Sequence, residues 1–380
     1  MNQTINTFIM DNTQALLTLL EELVLIQSFS RNKAGVDRVG DRIAKEFAQM
    51  GFEYTFKEEA DLGNNLIVRS PWQGERKNQI LITGHMDTVF PENSGFNWYK
   101  ESDTRCFGPG VADMKGGLVV GIFALKALIH SKAITRCPIT FIFNSDEEIG
   151  SPTSRSLIAK EAARSRVAYV LEAGGVSNEI VSGRKGNFSM QMTIDGKAGH
   201  AAFAGNKKAS AILEMAHKTL AIESMNDPDK GLSANVGTIK GGIGPNTVPD
   251  KTVAKLDFRY LTQSQANFIQ DQISRLTKKT FVPGTHTSLE IKSSRPSMPQ
   301  TDANKALFKK IENLSQELGK PVIEELRQGV SDANIIADQG TPVIDGLGPI
   351  GAKDHSEEEY IEKASLWERC TLFAHILAEI

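Results

Sequence analysis

The amino-acid sequence predicts an α/β protein with a mainly parallel central sheet, interrupted by an inserted α+β domain. Three observations carry that reading. The segments QILITG, PITFIFN and VAYVLEAG are apolar at nearly every position and alternate with helical stretches such as GGLVVGIFALKALIH; strands buried on both faces of a parallel sheet have this signature. After Gly183 the texture changes, and NFSMQMTIDG alternates polar with apolar residues as a strand with one solvated face does. From about residue 297 long helical patterns and the apolar segment TPVIDGLG restore the first texture. The expected organisation is one main domain from residues 1–183 and 297–380, with residues 184–296 as an insert of ordinary domain size.

Each element has its own signal. LLTLLEELVLI carries Glu21 and Glu22 within a helical pattern, which makes it an amphipathic core helix and not a signal peptide. Val36, Val39, Ile43 and Phe47 recur at spacings of three and four, so a helix is expected from about 36 to 50, closed by Gly51. In the insert, a helix is expected from about 206 to 225 and strands near 233–240 and 251–260. A helix near 263–279 and a strand near 286–293 complete it.

A chain of 380 residues fits two domains better than one, and 40% hydrophobic with 23% charged residues is a globular composition. A net charge of -3 gives no reason to expect nucleic acid or an anionic membrane as partner. No apolar run approaches the roughly 18 residues of a membrane span. Cys106, Cys137 and Cys370 are odd in number and lack metal-site spacing, so reduced thiols and a cytoplasmic location are expected.

The chemistry gathers where strands end. GHMDTV places His85 and Asp87 just after a buried run, two apart and on one side of an extended chain; a surface His beside a surface Asp is the plain alternative. FGPGVADMKGG crowds glycines around Asp113 ahead of a helix, fitting neither the dinucleotide fingerprint nor the Walker loop. Asp113 is otherwise a turn or N-cap residue. NSDEEIGS puts Asp146, Glu147 and Glu148 after another buried run, and LEAGG leaves Glu172 at the tip of a third. Each would pass alone as a solvated loop acid. His355 sits in a glycine-rich loop before the C-terminal helix, whereas His130, His217, His375 and His286 fall within helix or strand patterns where structural roles prevail. Together, two histidines and three carboxylates on separate strand-end loops form a donor set for two zinc ions sharing a carboxylate.

The strings GHMDTV, GPGVADMKGG, NSDEEIGS, LEAG, GKAGHAAF, GPNTVPD, LDFRY, GVSDAN and GAKDHSEEEY occur in this order over about residues 80–360. By them the chain resembles the dizinc aminoacylase and glutamate carboxypeptidase family of metallopeptidases, within it the carboxypeptidase G type. The resemblance implies a zinc-peptidase-type main domain with His85, Asp113, Glu148, Glu172 and His355 as ligands of two zinc ions, for which cobalt can substitute. Asp113 would bridge, Glu148 with His355 completing one ion and His85 with Glu172 the other. Glu147 would be the general base, and Asp87 would orient the His85 ring. The Asp113–Met114 peptide would be cis.

The same resemblance makes the insert a lid and dimerisation domain of a homodimer. His200 would reach into the partner's site to polarise the scissile carbonyl; Asn246 and Arg259, with Arg295 as a further candidate, would bind the substrate carboxylate. Without the resemblance, His200 is a loop histidine and Arg259 a strand residue in a structural ion pair. Arg184 and Lys185, in SGRKG, either recognise an acidic group or form a solvated turn. The implied activity is cleavage of an amide next to a free carboxylate, by a carboxypeptidase acting on small peptides. The alternatives are a deacylase of N-acyl amino acids, of the acetylornithine deacetylase or succinyl-diaminopimelate desuccinylase type, and a binding protein of the same fold without turnover.

Overall fold

Gln79–His85, Ile139–Asn144 and Ser165–Val170, the three continuous apolar runs, are adjacent parallel strands at the centre of a six-stranded sheet. The computed structural model describes residues 2–72, 78–133 and 137–379. Val343–Ile344, the short strand inside TPVIDGLG, extends the sheet in parallel beside Ser165–Val170. On the opposite side Asn65–Arg69 and Glu53–Lys57 add antiparallel strands that the sequence reading left out. The outer one, EYTFK, is largely exposed and carries no buried alternation to betray it.

Helix Gly116–His130 is buried along almost its whole length, which is why its sequence is apolar all round. It comes so close to the sheet that a β-carbon on Gly117 would lie 1.8 Å from the carbonyl oxygen of Leu171. Helix Lys33–Gln49 starts on Asn32, whose side chain accepts from Gly35 N–H, and ends ahead of Gly51 at a φ of 74°. Its Phe47 packs edge-on against Phe141 and Phe143 at 5.8 and 5.4 Å between ring centres, joining helix to sheet. The three cysteines are buried, and none forms a disulfide among the described residues. Among the described residues no helix is long and apolar enough to cross a membrane.

The chain divides into two compact units. The first comprises Met1–Gly183, Gln300–Arg327 and Ser331–Ile380; the second comprises Arg184–Pro299 with Gln328–Val330. The second unit therefore runs three residues past the expected 296 and gains a short separate segment. Arg184 and Met298 exchange backbone hydrogen bonds of 2.8 and 2.9 Å in an isolated bridge that joins the two ends of this unit's main segment. The Arg184 guanidinium donates to Gly329 O at 3.1 Å.

Within the second unit the strands lie in the order Ser233–Gly241, Lys251–Tyr260, Gly186–Asp195, His286–Arg295, all antiparallel. Helices Ala211–Glu223 and Gln263–Lys278 cover it, and Met215, Ile269 and Ile273 share a core with Phe188, Met192, Leu256 and Phe258. Thr262 and Gln265 cap the second helix reciprocally. Glu214 and Lys218, both fully buried, pair at 3.1 Å. Glu214 also accepts from Phe281 and Val282 N–H, which pins the loop after the second helix.

Candidate metal centre

Parallel strands release their carboxyl ends on one edge of a sheet, and here three chemical elements emerge there. His85 is the last residue of its strand; Glu147 and Glu148 open a short helical turn, Glu147–Ile149, beyond Asn144; Glu172 follows Val170 by two residues. Asp113 comes from the glycine-rich segment ahead of helix Gly116–His130, and His355 from the loop after strand Gly351–Ala352. The Asp113–Met114 peptide is cis.

The five side chains fall into two groups that share Asp113. On one side His85 Nε2 lies 2.9 Å from Asp113 Oδ1 and 3.7 Å from Glu172 Oε1. On the other, His355 Nε2 lies 3.2 Å from both Asp113 Oδ2 and Glu148 Oε2. Donor atoms of His85, Asp113 and Glu148 all fit within 4.8 Å of one another, as do those of Asp113, Asp354 and His355. Asp354 is a neighbour that the sequence reading passed over.

The electrostatics is that of a negative nest short of positive charge. Burial, then the charge of Asp113, pushes the Glu148 carboxyl up to about 7, and the same two causes raise Glu172 well above the carboxylate range. Hydrogen bonds to Asp113 and Glu148 lift the His355 imidazole to about 11. Burial opposes a charge on His85, yet its bonds to Asp113 and Asp87 raise it too. Burial likewise opposes ionised Asp113, and the two imidazoles override it and hold the carboxyl low. Glu148 Oε1 is buried and has no hydrogen-bond partner among the described residues. Imidazole nitrogens and carboxylate oxygens converging on one point, with an orphaned carboxylate oxygen among them, fit divalent cations of the zinc type.

Asp87 is fully buried, and its backbone carbonyl, at 2.9 Å, is the near partner of His85 Nδ1; its carboxylate is 3.4 Å away. A carbonyl only accepts, so Nδ1 carries a hydrogen and Nε2 is turned to Asp113. The orienting atom is thus mainly backbone. The Asp87 carboxylate accepts instead from Ser30 Oγ at 2.6 Å and from Glu147 and Glu148 N–H at 3.2 and 3.3 Å, anchoring the acidic turn.

Of the acidic triplet, Asp146 is structural. It is buried and accepts from Thr153 and Ser154 N–H at 2.6 and 3.2 Å. Asp332, in the GVSDAN string, steadies the same turn by accepting from Asn144 Nδ2 at 2.6 Å and Ser151 Oγ at 2.5 Å.

Four expected site residues belong to the second unit. Strands Gly199–His200 and Thr247–Val248 pair, with His200 opposite Thr247, and Ala201 N–H donates to Asn246 O at 2.9 Å, so His200 and Asn246 share one exposed loop pair. The His200 ring leans on Phe203, 4.9 Å between centres. Arg259 forms an ion pair with Asp257 two residues before it, at 2.9 Å. Burial and the nearby Arg259 push the Lys185 ammonium down. Arg295 is only 3% exposed, at the end of its strand, where its backbone bonds Asn187 and Tyr260. Of the histidines read as structural, His375 bonds Asn6 at 2.8 Å, His130 packs on Phe8 and His217 stacks on Phe281. Ser30 and Glu359 also touch the site and were not foreseen: no pattern singles out Ser30, and Glu359 ends a run of three glutamates.

An α/β domain with clustered carboxylates and imidazoles at its strand ends defines a class of metal-dependent hydrolase, and comparison with known proteins gives that class its family. Residues 81–379 match the model of Peptidase family M20/M25/M40. The chain belongs to that family and is a hydrolytic metallopeptidase. It is 28% identical over 377 residues to carboxypeptidase G2 of Pseudomonas sp. (strain RS-16), covering 97% of this chain and 90% of that one. Among solved structures it is similar to the aminopeptidase PepT of Bacillus cereus ATCC 10987, with TM-score 0.81, 26% identity and coverage of 97% and 98%. A tripeptidase of Staphylococcus aureus subsp. aureus Mu50 shares the fold, with TM-score 0.79, 23% identity and coverage of 97% and 99%.

Proposed function

We propose that this chain is a two-metal exopeptidase of the carboxypeptidase type, releasing an amino acid from small peptides by cleaving the amide next to a free carboxylate. The observation that carries the reading is the pair of groups sharing Asp113, with Glu147 beside them on the turn that presents Glu148. In this reading His85 with Glu172 would hold one zinc ion and Glu148 with His355 the other, with Asp113 as a ligand available to both. When bound, such a pair polarises a substrate carbonyl and makes water acidic enough to react at neutral pH. Glu147 accepts the proton of the attacking water and delivers it to the leaving amine. Asp87 keeps Glu147 in register by holding its backbone N–H.

The second unit supplies substrate recognition. Arg259, with Lys185 close enough to feel its charge, forms a basic locus suited to a carboxylate, and Asn246 adds an amide. We read the unit as the contact between two copies as well: Leu213 and Leu220 on helix Ala211–Glu223, with Ile239 on the outermost strand Ser233–Gly241, are 42%, 73% and 48% exposed. An apolar helix face beside an unpaired sheet edge calls for a partner. His200 acts across that contact. If so, His200→Ala and Glu147→Gln proteins, each nearly inactive, regain activity when mixed and allowed to exchange subunits; exchange without recovery removes His200 from the partner's site.

Similarity to carboxypeptidase G2 supports the carboxypeptidase reading, and similarity to PepT makes an aminopeptidase the competitor. The deciding experiment offers the zinc-loaded protein peptides with free or amidated C-termini, peptides with free or blocked N-termini, and N-acyl amino acids, and identifies the amine released. Release of the C-terminal residue from N-blocked peptides is expected. Cleavage that requires a free N-terminus and ignores C-terminal amidation overturns the reading in favour of an aminopeptidase.

A further inference from the structure

Glu359 lies four residues after His355, and its side chain turns back beneath the segment that carries Asp113. It is 1% exposed. One carboxylate oxygen accepts from Ala112 and Asp113 N–H at 2.8 and 3.0 Å, and the other from Gly110 N–H at 3.0 Å. Three donors within four residues converge on one side chain because the backbone there is neither helix nor strand. Gly110 has a φ of 76° and Asp113 sits at φ -115° and ψ 89°, so these N–H groups have no regular ladder to join. A carboxyl group, with acceptor positions on both of its oxygens, satisfies all three.

The same stretch of chain is fixed at two further points. Immediately after Glu359, Tyr360–Glu362 pairs antiparallel with Arg105–Phe107, placing Tyr360 opposite Phe107, three residues before Gly110. At its other end His355 Nε2 meets Asp113 Oδ2 at 3.2 Å. At that end Lys353 and His355 hold φ of 66° and 60°, a left-handed conformation uncommon for residues with side chains.

We propose that Glu359 is a positioning residue for the metal centre: by gripping the backbone at Gly110, Ala112 and Asp113 it sets where the Asp113 carboxylate stands relative to His355 on its own loop. The proposal rests on the reading of Asp113 and His355 as metal ligands. It assigns to Glu359 no contact with substrate. Glu359→Gln keeps the shape but offers one accepting oxygen and turns an NH2 toward a backbone N–H, so it frees the loop without opening a cavity.

The test titrates zinc into metal-free wild type, Glu359→Gln and Asp113→Asn, against a chelating dye at a temperature well below unfolding, with the melting temperature of each metal-free protein alongside. Glu359→Gln is expected to weaken zinc binding by about ten- to a hundredfold, the scale of losses at groups that orient ligands. A part in folding alone would lower its melting temperature and leave the isotherm unchanged; that outcome overturns the proposal. Asp113→Asn is expected to lose zinc outright. If Asp113→Asn binds zinc as the wild type does, the ligand reading itself falls and takes the proposal with it, whereas loss in Asp113→Asn with none in Glu359→Gln removes only the role of Glu359. Hydrogen exchange in the metal-free wild type covers the case of a variant that does not fold: the amides of Gly110, Ala112 and Asp113 should be protected, and exchange at the rate of an open loop contradicts the grip.

Discussion

Glu147 and Glu148 are neighbours of the same type, yet their surroundings differ, and the proposed reading gives them different work. Glu148 contacts His355 at 3.2 Å and is held close to Asp113, whereas Glu147 opens the same turn, whose N–H groups Asp87 anchors, and acts on Glu172 through its charge. Glu147→Gln should therefore keep its metal content and lose about two to four orders of magnitude in turnover, the scale of a general base. Glu148→Gln should lose metal at a given free zinc concentration. Metal analysis beside turnover separates them, and near-normal turnover in Glu147→Gln would discard it as the base. The same crowding sets a pH dependence. Glu148 and Glu359 titrate at about 7 and about 8 in the folded metal-free protein, both raised from 4.5 mainly by burial, so the fold holds protons that the unfolded chain releases above that value. The imidazole of His355, raised to about 11, acts in the same sense above 6.5. Folded-state stability is then greatest below about pH 4.5 for the carboxyl contribution and is lost as pH rises through 7 and 8. The melting temperature of metal-free protein should fall between pH 5 and pH 8, and zinc should reverse the fall by replacing the protons; a melting temperature that climbs over that range contradicts it. Residue types at strand ends were legible in the sequence, because a His or acid directly after a fully apolar run is out of place. The partners of those groups were not: Ser30, Asp332 and Glu359 are ordinary loop residues until the chain folds.

At the scale of elements, the site depends on how near the glycine-rich helix start comes to the sheet. Asp113 reaches His85 because helix Gly116–His130 begins against the segment after Val170, and only a residue without a β-carbon fits at position 117, where that carbon would stand 1.8 Å from Leu171 O. Gly117→Ala must push helix and strand end apart, an overpacking that costs about 1–3 kcal/mol or more. Because Leu171 O adjoins Glu172, the variant should also bind zinc more weakly. Chemical denaturation with a zinc titration checks both, and a variant of wild-type stability and affinity shows that the packing can give without harm. The parallel core of the sheet could be read from its apolar runs, since burial on both faces leaves no room for polar residues. The flanking antiparallel strands could not, for EYTFK looks outward and buries no regular face.

For the whole molecule, the change of texture at Gly183 coincides with the break between the two units, while the return is set by contacts no local pattern encodes, such as Arg184 with Met298 and Gly329. The recognition role proposed for the second unit rests on family strings alone, since Arg259 on its own has the partner that an unremarkable strand arginine would have. That ion pair sharpens the last prediction. Asp257 engages Nε and Nη2 of Arg259 at 2.9 and 3.3 Å, which fixes the plane of the guanidinium without burying it, the side chain being 31% exposed. A fixed, half-exposed guanidinium with Lys185 near it can bind a carboxylate without first being ordered. Under the carboxypeptidase reading, amidating the substrate's C-terminus removes the charge these groups recognise. The kcat/KM of the wild type should then drop by about two orders of magnitude, roughly 1.4 kcal/mol for each factor of ten. Arg259→Ala has already lost the contact, so amidation should change its kcat/KM by less than about tenfold. The difference between the two ratios isolates the carboxylate contact from any general damage done by the substitution. Equal ratios in the two proteins would return Arg259 to a structural role beside Asp257 and leave the free-carboxylate requirement without a receptor at that residue.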